Sequence, residues 1–179
     1  MTGVGCCFDK SGLEGDVRTV KLRFLRKELL YDIRNYAYVE ADVMGNDRVH
    51  AKHLTSEVGE EGNVDRVYRI LAAVHALVID LLYPYTRSEA VEEELEDRLC
   101  VPEEYVVELH VPASMSRSTI VLLSRLIHEF MVYRALGDWL GITDAEASAK
   151  WMEKAEYTRH EIETAKNQRG VFTRRLHPW

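Results

Sequence analysis

At 179 residues, 46% hydrophobic and 30% charged, the chain has the make-up of one compact domain and not of a disordered segment. Its net charge of −7 argues against general affinity for nucleic acid, which needs clustered Lys and Arg to displace counterions. Cys6, Cys7 and Cys100 make no disulfide framework, and no apolar run approaches the roughly 18 residues that span a bilayer. The first residues also lack the basic-then-apolar order of a secretory signal, so the expected setting is cytoplasmic and reduced.

Residues 1–17 carry Gly3, Gly5, Gly12 and Gly15 without a hydrophobic period, and read as a flexible N-terminal arm. Over 18–44, Leu25, Leu29, Ile33, Tyr36 and Val39 recur three or four apart, with Leu22 and Leu30 widening the stripe; this predicts a first helix. Gly45, Asn46 and Asp47 stop it, and the acidic stretch 46–63 reads as a loop. Asn63 is placed to cap a second helix over 64–83. Val64, Val67, Leu71, Val74, Val78 and Leu81 form its seam, and Ile70, Leu77 and Leu82 make it nearly apolar all round. Such a helix belongs at the centre of a bundle, and Pro84 ends it.

Glu89–Leu99 reads as a short acidic helix, with Glu92–Asp97 a solvated face. Tyr105, Val107, Leu109 and Val111 alternate with Val106, Glu108 and His110, which predicts a strand. An isolated strand leaves its edges open, so it pairs with 48–54 or with another subunit. Ile120, Leu123, Ile127, Met131 and Ala135 mark a third helix over 116–140, entered through Ser114, Ser116 and Ser118 and stopped by Gly141. Thr143 and Glu146 have the spacing of a capping box for a fourth helix over 144–169. Ala147, Trp151, Ala155, Ile162 and Ala165 line one side of that helix, while Lys150, Glu153, Lys154 and Arg159 read as solvated. The expected fold is an all-α bundle of four principal helices (18–169), with one short strand or hairpin and extended terminal arms.

No arrangement of reactive side chains stands out. His50 and His53, with Glu57, Glu60 and Glu61 nearby, have an i, i+3 spacing that suits a metal, but they fall in the acidic loop. His128-Glu129 opens an H-E-x-x-H pattern that fails at Val132, and no paired Glu-x-x-His helices occur. His75, in an apolar helix, reads as a hydrogen-bonded core histidine. Gly3-Val-Gly5 is too short for a phosphate cradle. The expectation is no catalytic residue, no metal, no cofactor and no enzyme activity.

After Gly170 ends the fourth helix, residues 170–179 mix basic and apolar groups. Nine or ten residues of this kind bury too little to fold alone, yet are too apolar to serve as a solubilising end. Arg169, Phe172, Arg174, Arg175, Leu176 and Trp179 are therefore the candidate partner-binding residues, docking on this domain or on a neighbour.

In order, Ile79-Asp-Leu-Leu-Tyr-Pro-Tyr85, Leu109-His-Val-Pro112, Tyr133-Arg-Ala-Leu136 and Trp151-Met-Glu-Lys-Ala-Glu-Tyr157 resemble the small helical head–tail connector, or adaptor, proteins of tailed bacteriophages. The resemblance covers about 64–170; the long first helix and the acidic loop after it depart from the pattern. It implies a non-enzymatic ring component of a phage or prophage, sited in the bacterial host cytoplasm and then in the virion. Its partners would be copies of itself and portal or tail proteins, with no membrane and no sequence-specific nucleic acid. The alternatives are a bacterial helical interaction module without a phage link, or a metal-binding bundle built on His50 and His53.

Overall fold

The computed structural model describes residues 17–45, 48–88 and 101–167. Its elements run β1 (Val17–Leu25), α1 (Arg26–Val43), α2 (Val49–Ser56), α3 (Val64–Leu81), β2 (Glu104–Pro112), α4 (Arg117–Leu140) and α5 (Ala145–Asn167). The all-α four-helix bundle is thus corrected: among the described residues, five helices accompany a two-stranded antiparallel sheet. The N-terminal arm, the Glu89–Leu99 helix and the C-terminal tail, with all six candidate partner-binding residues, lie outside the described residues, Val17 apart.

The strand expected near 105–111 is present, but residues 48–54 are not its neighbour. β1 pairs with it, Leu22 opposite Val107 and Phe24 opposite Tyr105. The first helix therefore starts at Arg26, not at 18. The reason is geometric: Leu22 and Phe24 are both buried, and a helix would turn them about 200° apart, whereas a strand puts them on one face. On the other face Lys21 and Glu108 pair at 2.9 Å, as do Arg23 and Glu104.

Residues 49–54 belong to α2, where a loop was expected. α2 has little apolar pattern; Thr55, fully buried, is its one buried residue and donates to Thr143 Oγ1 at 2.9 Å. Arg48 beside it meets Asp144 at 3.2 Å, so α2 is tied by polar contacts to the loop between α4 and α5. Beyond α2, Gly59 holds φ +77°. A Cβ there would sit 2.8 Å from Arg34 Nε, and Arg34 donates to the Gly59 carbonyl.

The centre of the molecule is α4, not the second predicted helix. α4 buries eleven residues, from Leu123 to Leu140, on all sides. α3 buries Val67, Leu71, Val74 and Val78 along one stripe, while Leu77 stays 48% exposed. The caps also differ from expectation at two of three places. Ser116 caps α4 by accepting from the Thr119 N–H at 3.1 Å, as its position predicts. Asn63 makes no side-chain cap to α3. At α5 the cap is Asp144, whose Oδ1 accepts from the Glu146 and Ala147 N–H groups, so the Thr143–Glu146 box does not form. Thr143 donates to the Leu140 carbonyl at 3.4 Å.

α4 and α5 form an antiparallel hairpin across the short 141–144 connection. Ser148 Oγ donates to the Gly137 carbonyl at 2.8 Å, and a Cβ on Gly137 would meet Met152 Sδ at 2.9 Å. This close approach brings Tyr133 against Trp151, and it leaves a groove along the outside of the pair.

Candidate interaction site

The groove is built from one face of α4 and one of α5. Glu129 and Tyr133 come from α4; Lys150, Glu153, Lys154, Tyr157, Thr158 and Glu161 come from α5. It encloses roughly 500 Å³, a volume within the range of ligand-binding clefts. At its α1 end it is backed by a cluster of three aromatic rings, packed edge-on or tilted to one another. Tyr36 lies 4.9 Å from Trp151 and 6.1 Å from Tyr133, centroid to centroid, and Tyr133 lies 5.5 Å from Trp151.

Trp151 is 3% exposed, and its indole N–H donates to Glu40 Oε1 at 2.9 Å. The same oxygen accepts from Lys150 Nζ at 2.8 Å. Lys154 Nζ sits 3.9 Å from the centroid of the Trp151 ring, well within the range of a cation–π contact. Burial, with the neighbouring Tyr36 and the charges of Glu129 and Asp32, pushes the Tyr133 phenol up to about 12, so it keeps its proton. Both lysines of the groove are thereby engaged. Among the described residues, no cation pairs with Glu129, Glu153 or Glu161. The free charge of the groove is acidic, and its walls are aromatic.

Sequence reading placed Lys150 and Lys154 on a solvated face and gave Glu40 no role. The missing information is that α1 crosses α5 at this point; nothing in the spacing of either helix alone shows it. The rhythm of Trp151, Ala155 and Tyr157 was visible, and it divides: Trp151 and Ala155 are buried, while Tyr157 is 67% exposed on the groove wall.

The histidines are distributed as follows. His50 and His53 sit on α2, where His53 Nδ1 lies 2.9 Å from Glu57. Among the described residues no group of three or more His, Cys, Asp or Glu side chains is gathered as a metal site needs. His128 Nε2 lies 2.8 Å from Asp32 Oδ2, joining α4 to α1. His75 Nε2 lies 3.0 Å from the Val106 carbonyl, to which it donates, and its ring packs 5.3 Å from that of Tyr105. His75 therefore joins α3 to the sheet, the structural role expected of it.

The exposed surface has further apolar features. Tyr31, Tyr38, Val39 and Val43 stand out from α1, and Val121 and Leu122 from α4 between Arg117 and Arg125. No helix of the described residues is long and apolar enough to cross a membrane. Compared with known proteins, the chain matches no family model, no curated protein and no solved structure.

Proposed function

We propose that this chain is a non-enzymatic structural subunit of a tailed phage or prophage. In this reading it is a head–tail connector or adaptor that forms a ring with copies of itself and meets portal or tail proteins. The observation that carries the reading is the outer face of α1. Tyr31 and Tyr38 lie two turns apart on that face, Val39 and Val43 continue beside it, and Val43 is 78% exposed. A helix with one face in the core and large apolar groups on the other has more surface to bury than its own domain provides. Assembly subunits bury such groups against neighbours, with aromatic residues supplying most of the contact energy. The arrangement of motifs over 64–170 supplies the phage setting, and Arg169, Phe172, Arg174, Arg175, Leu176 and Trp179 supply the arm.

A helical interaction module without a phage link would present the same surface. The two part when the protein is mixed with portal or tail proteins encoded beside it. Sedimentation velocity and negative-stain electron microscopy of the full chain test the reading directly. Closed rings, alone or on a portal, are the expected outcome. A protein that stays monomeric throughout and ignores portal and tail proteins overturns it.

A further inference from the structure

We infer that the outer edge of β1 receives an extended, acidic segment of another protein, which adds to the sheet as a third strand. This surface is separate from the one that carries the assembly reading, and its role does not depend on ring formation. In an antiparallel pair, successive residues turn their N–H and C=O groups alternately towards the partner strand and away from it. Two bonds fix which way each residue of this sheet turns. The Arg26 N–H donates to the Glu103 carbonyl at 3.0 Å, one step beyond the Leu25–Glu104 pair, so the even-numbered residues of β1 turn these groups towards β2. The His110 N–H instead donates to the Tyr85 carbonyl at 2.7 Å, away from β1, so His110 and its partner Thr19 turn outward. Thr19, Lys21 and Arg23 therefore present their backbone groups along the outer edge of β1. No hydrogen bond from the described residues reaches them there.

The two edges of the sheet differ. On β2, His75 Nε2 donates to the Val106 carbonyl at 3.0 Å and Tyr85 takes the His110 N–H, so α3 and the turn after it cover that edge. Among the described residues, nothing does the same for β1. A nine-residue strand with a bare edge is a template for pairing, and main-chain bonds to such an edge are a general way of holding an extended segment.

Charge selects the occupant. Residues 17–27 hold Arg18, Lys21, Arg23, Arg26 and Lys27 and no Asp or Glu, in a chain of net charge −7. Thr19, Lys21 and Arg23, whose backbone groups turn outward, also share one exposed face of the strand. Lys21 and Arg23 each meet a glutamate of β2, yet their side chains keep 54% and 62% exposure. A third strand lays its own side chains beside these two cations, on the side away from Glu104 and Glu108. Carboxylates are favoured there and cations repelled. The same rule excludes a second copy, because β1 against β1 gathers Lys21 and Arg23 of both chains on one face. The β2 edge of another copy is already engaged at Val106 and His110. The occupant is thus a strand of a different protein with acidic residues at alternate positions.

Amide hydrogen exchange on the full chain, resolved by residue with NMR, reads this edge directly. In the free protein the amides of Thr19, Lys21 and Arg23 should exchange roughly tenfold or more faster than those of Val20, Leu22 and Phe24, which point at β2. Slow exchange at all six means that the chain covers the edge itself, and overturns the proposal. Protection of the first three that grows with protein concentration makes a second copy the occupant, and also overturns it. The probe is a nine-residue peptide, the length of β1, in which glutamate alternates with valine and threonine. Adding it should slow the Thr19, Lys21 and Arg23 amides roughly tenfold or more, and a peptide with lysine in place of glutamate should bind roughly tenfold more weakly. Thr19→Pro, which removes one outward N–H and keeps both cations, should weaken the glutamate peptide with little change in melting temperature. Lys21→Glu with Arg23→Glu keeps every backbone bond and should reverse the preference between the peptides. Absence of binding, equal binding of the two peptides, or binding that leaves these three amides unprotected overturns the acidic third strand.

Discussion

Glu40 shows how one side chain holds two helices in register. It lies on α1, yet its Oε1 takes the indole N–H of Trp151 at 2.9 Å and the ammonium of Lys150 at 2.8 Å, both from α5. Glu40→Ala leaves that buried N–H without an acceptor and should cost about 1–3 kcal/mol, read by urea denaturation. Glu40→Gln keeps an acceptor and should lose less; equal losses in the two variants would show that the charge, not the hydrogen bond, matters. His75 adds a pH dependence. Burial, opposed by the hydrogen bond to the Val106 carbonyl, holds its pKa below the usual 6.5. The unfolded chain then takes up this proton first as pH falls, so stability is full above 6.5 and declines from there towards the lower folded value. Thermal melts from neutral to mildly acid pH should show a shallower decline in His75→Gln than in wild type. Parallel curves would mean that other groups carry the whole acid effect.

At the scale of elements, the sequence spoke clearly where one period prevailed and misled where two coincided. α3, α4 and α5, the C-terminal end of α1 and the strand β2 follow from their apolar spacing within a few residues at each end, whereas α1 starts eight residues later than its spacing suggests. Residues 17–25 hold both patterns: Leu22, Leu25 and Leu29 suit a helix, while Val20, Leu22 and Phe24 alternate with Lys21 and Arg23 as in a strand. β2 decides between them, because its nine residues need a partner and β1 supplies one, Val17 opposite Pro112 through Leu25 opposite Glu104. α2 escaped notice because it is held by Thr55 and Arg48 and not by an apolar face. Of the groove, single residues such as Trp151 and Tyr133 were legible, but their meeting with Tyr36 and Glu40 was not, since it depends on how α1 packs. The ranking of α3 above α4 failed because hydrophobicity all round a helix measures its composition, not its neighbours. Leu136, fully buried on α4, should therefore cost about 2–5 kcal/mol when cut to Ala. Leu77→Asp, on the exposed side of α3, should stay within about 0.5 kcal/mol of wild type. Reversed magnitudes would return α3 to the centre.

At the scale of the whole molecule, the question is whether the last residues belong to the fold or to what the fold joins. The contacts that hold the described body run between described residues. Leu123, Ile127, Met131 and Leu136 are packed on α4 among residues of α1, α3, α5 and the sheet, and Ile162 and Ala165 are buried near the end of α5. The final turn of α5 is also secured before Gly170 is reached, because Lys166 binds the Leu81 and Tyr83 carbonyls at the end of α3. The Leu81 carbonyl is one that a helix leaves unpaired at its C-terminus, so a cation there has both a hydrogen bond and the helix dipole in its favour. Truncation after Gly170 removes none of these contacts, and the melting temperature should move by no more than a few degrees. It does remove Phe172, Arg174, Arg175, Leu176 and Trp179, the groups proposed to grip a neighbour. Aromatic and arginine side chains carry a large share of interface energy, so self-association or portal binding should fall below detection in sedimentation. A truncated protein that melts far earlier while associating as before would make the segment a lid on its own domain and remove the arm from the assembly reading.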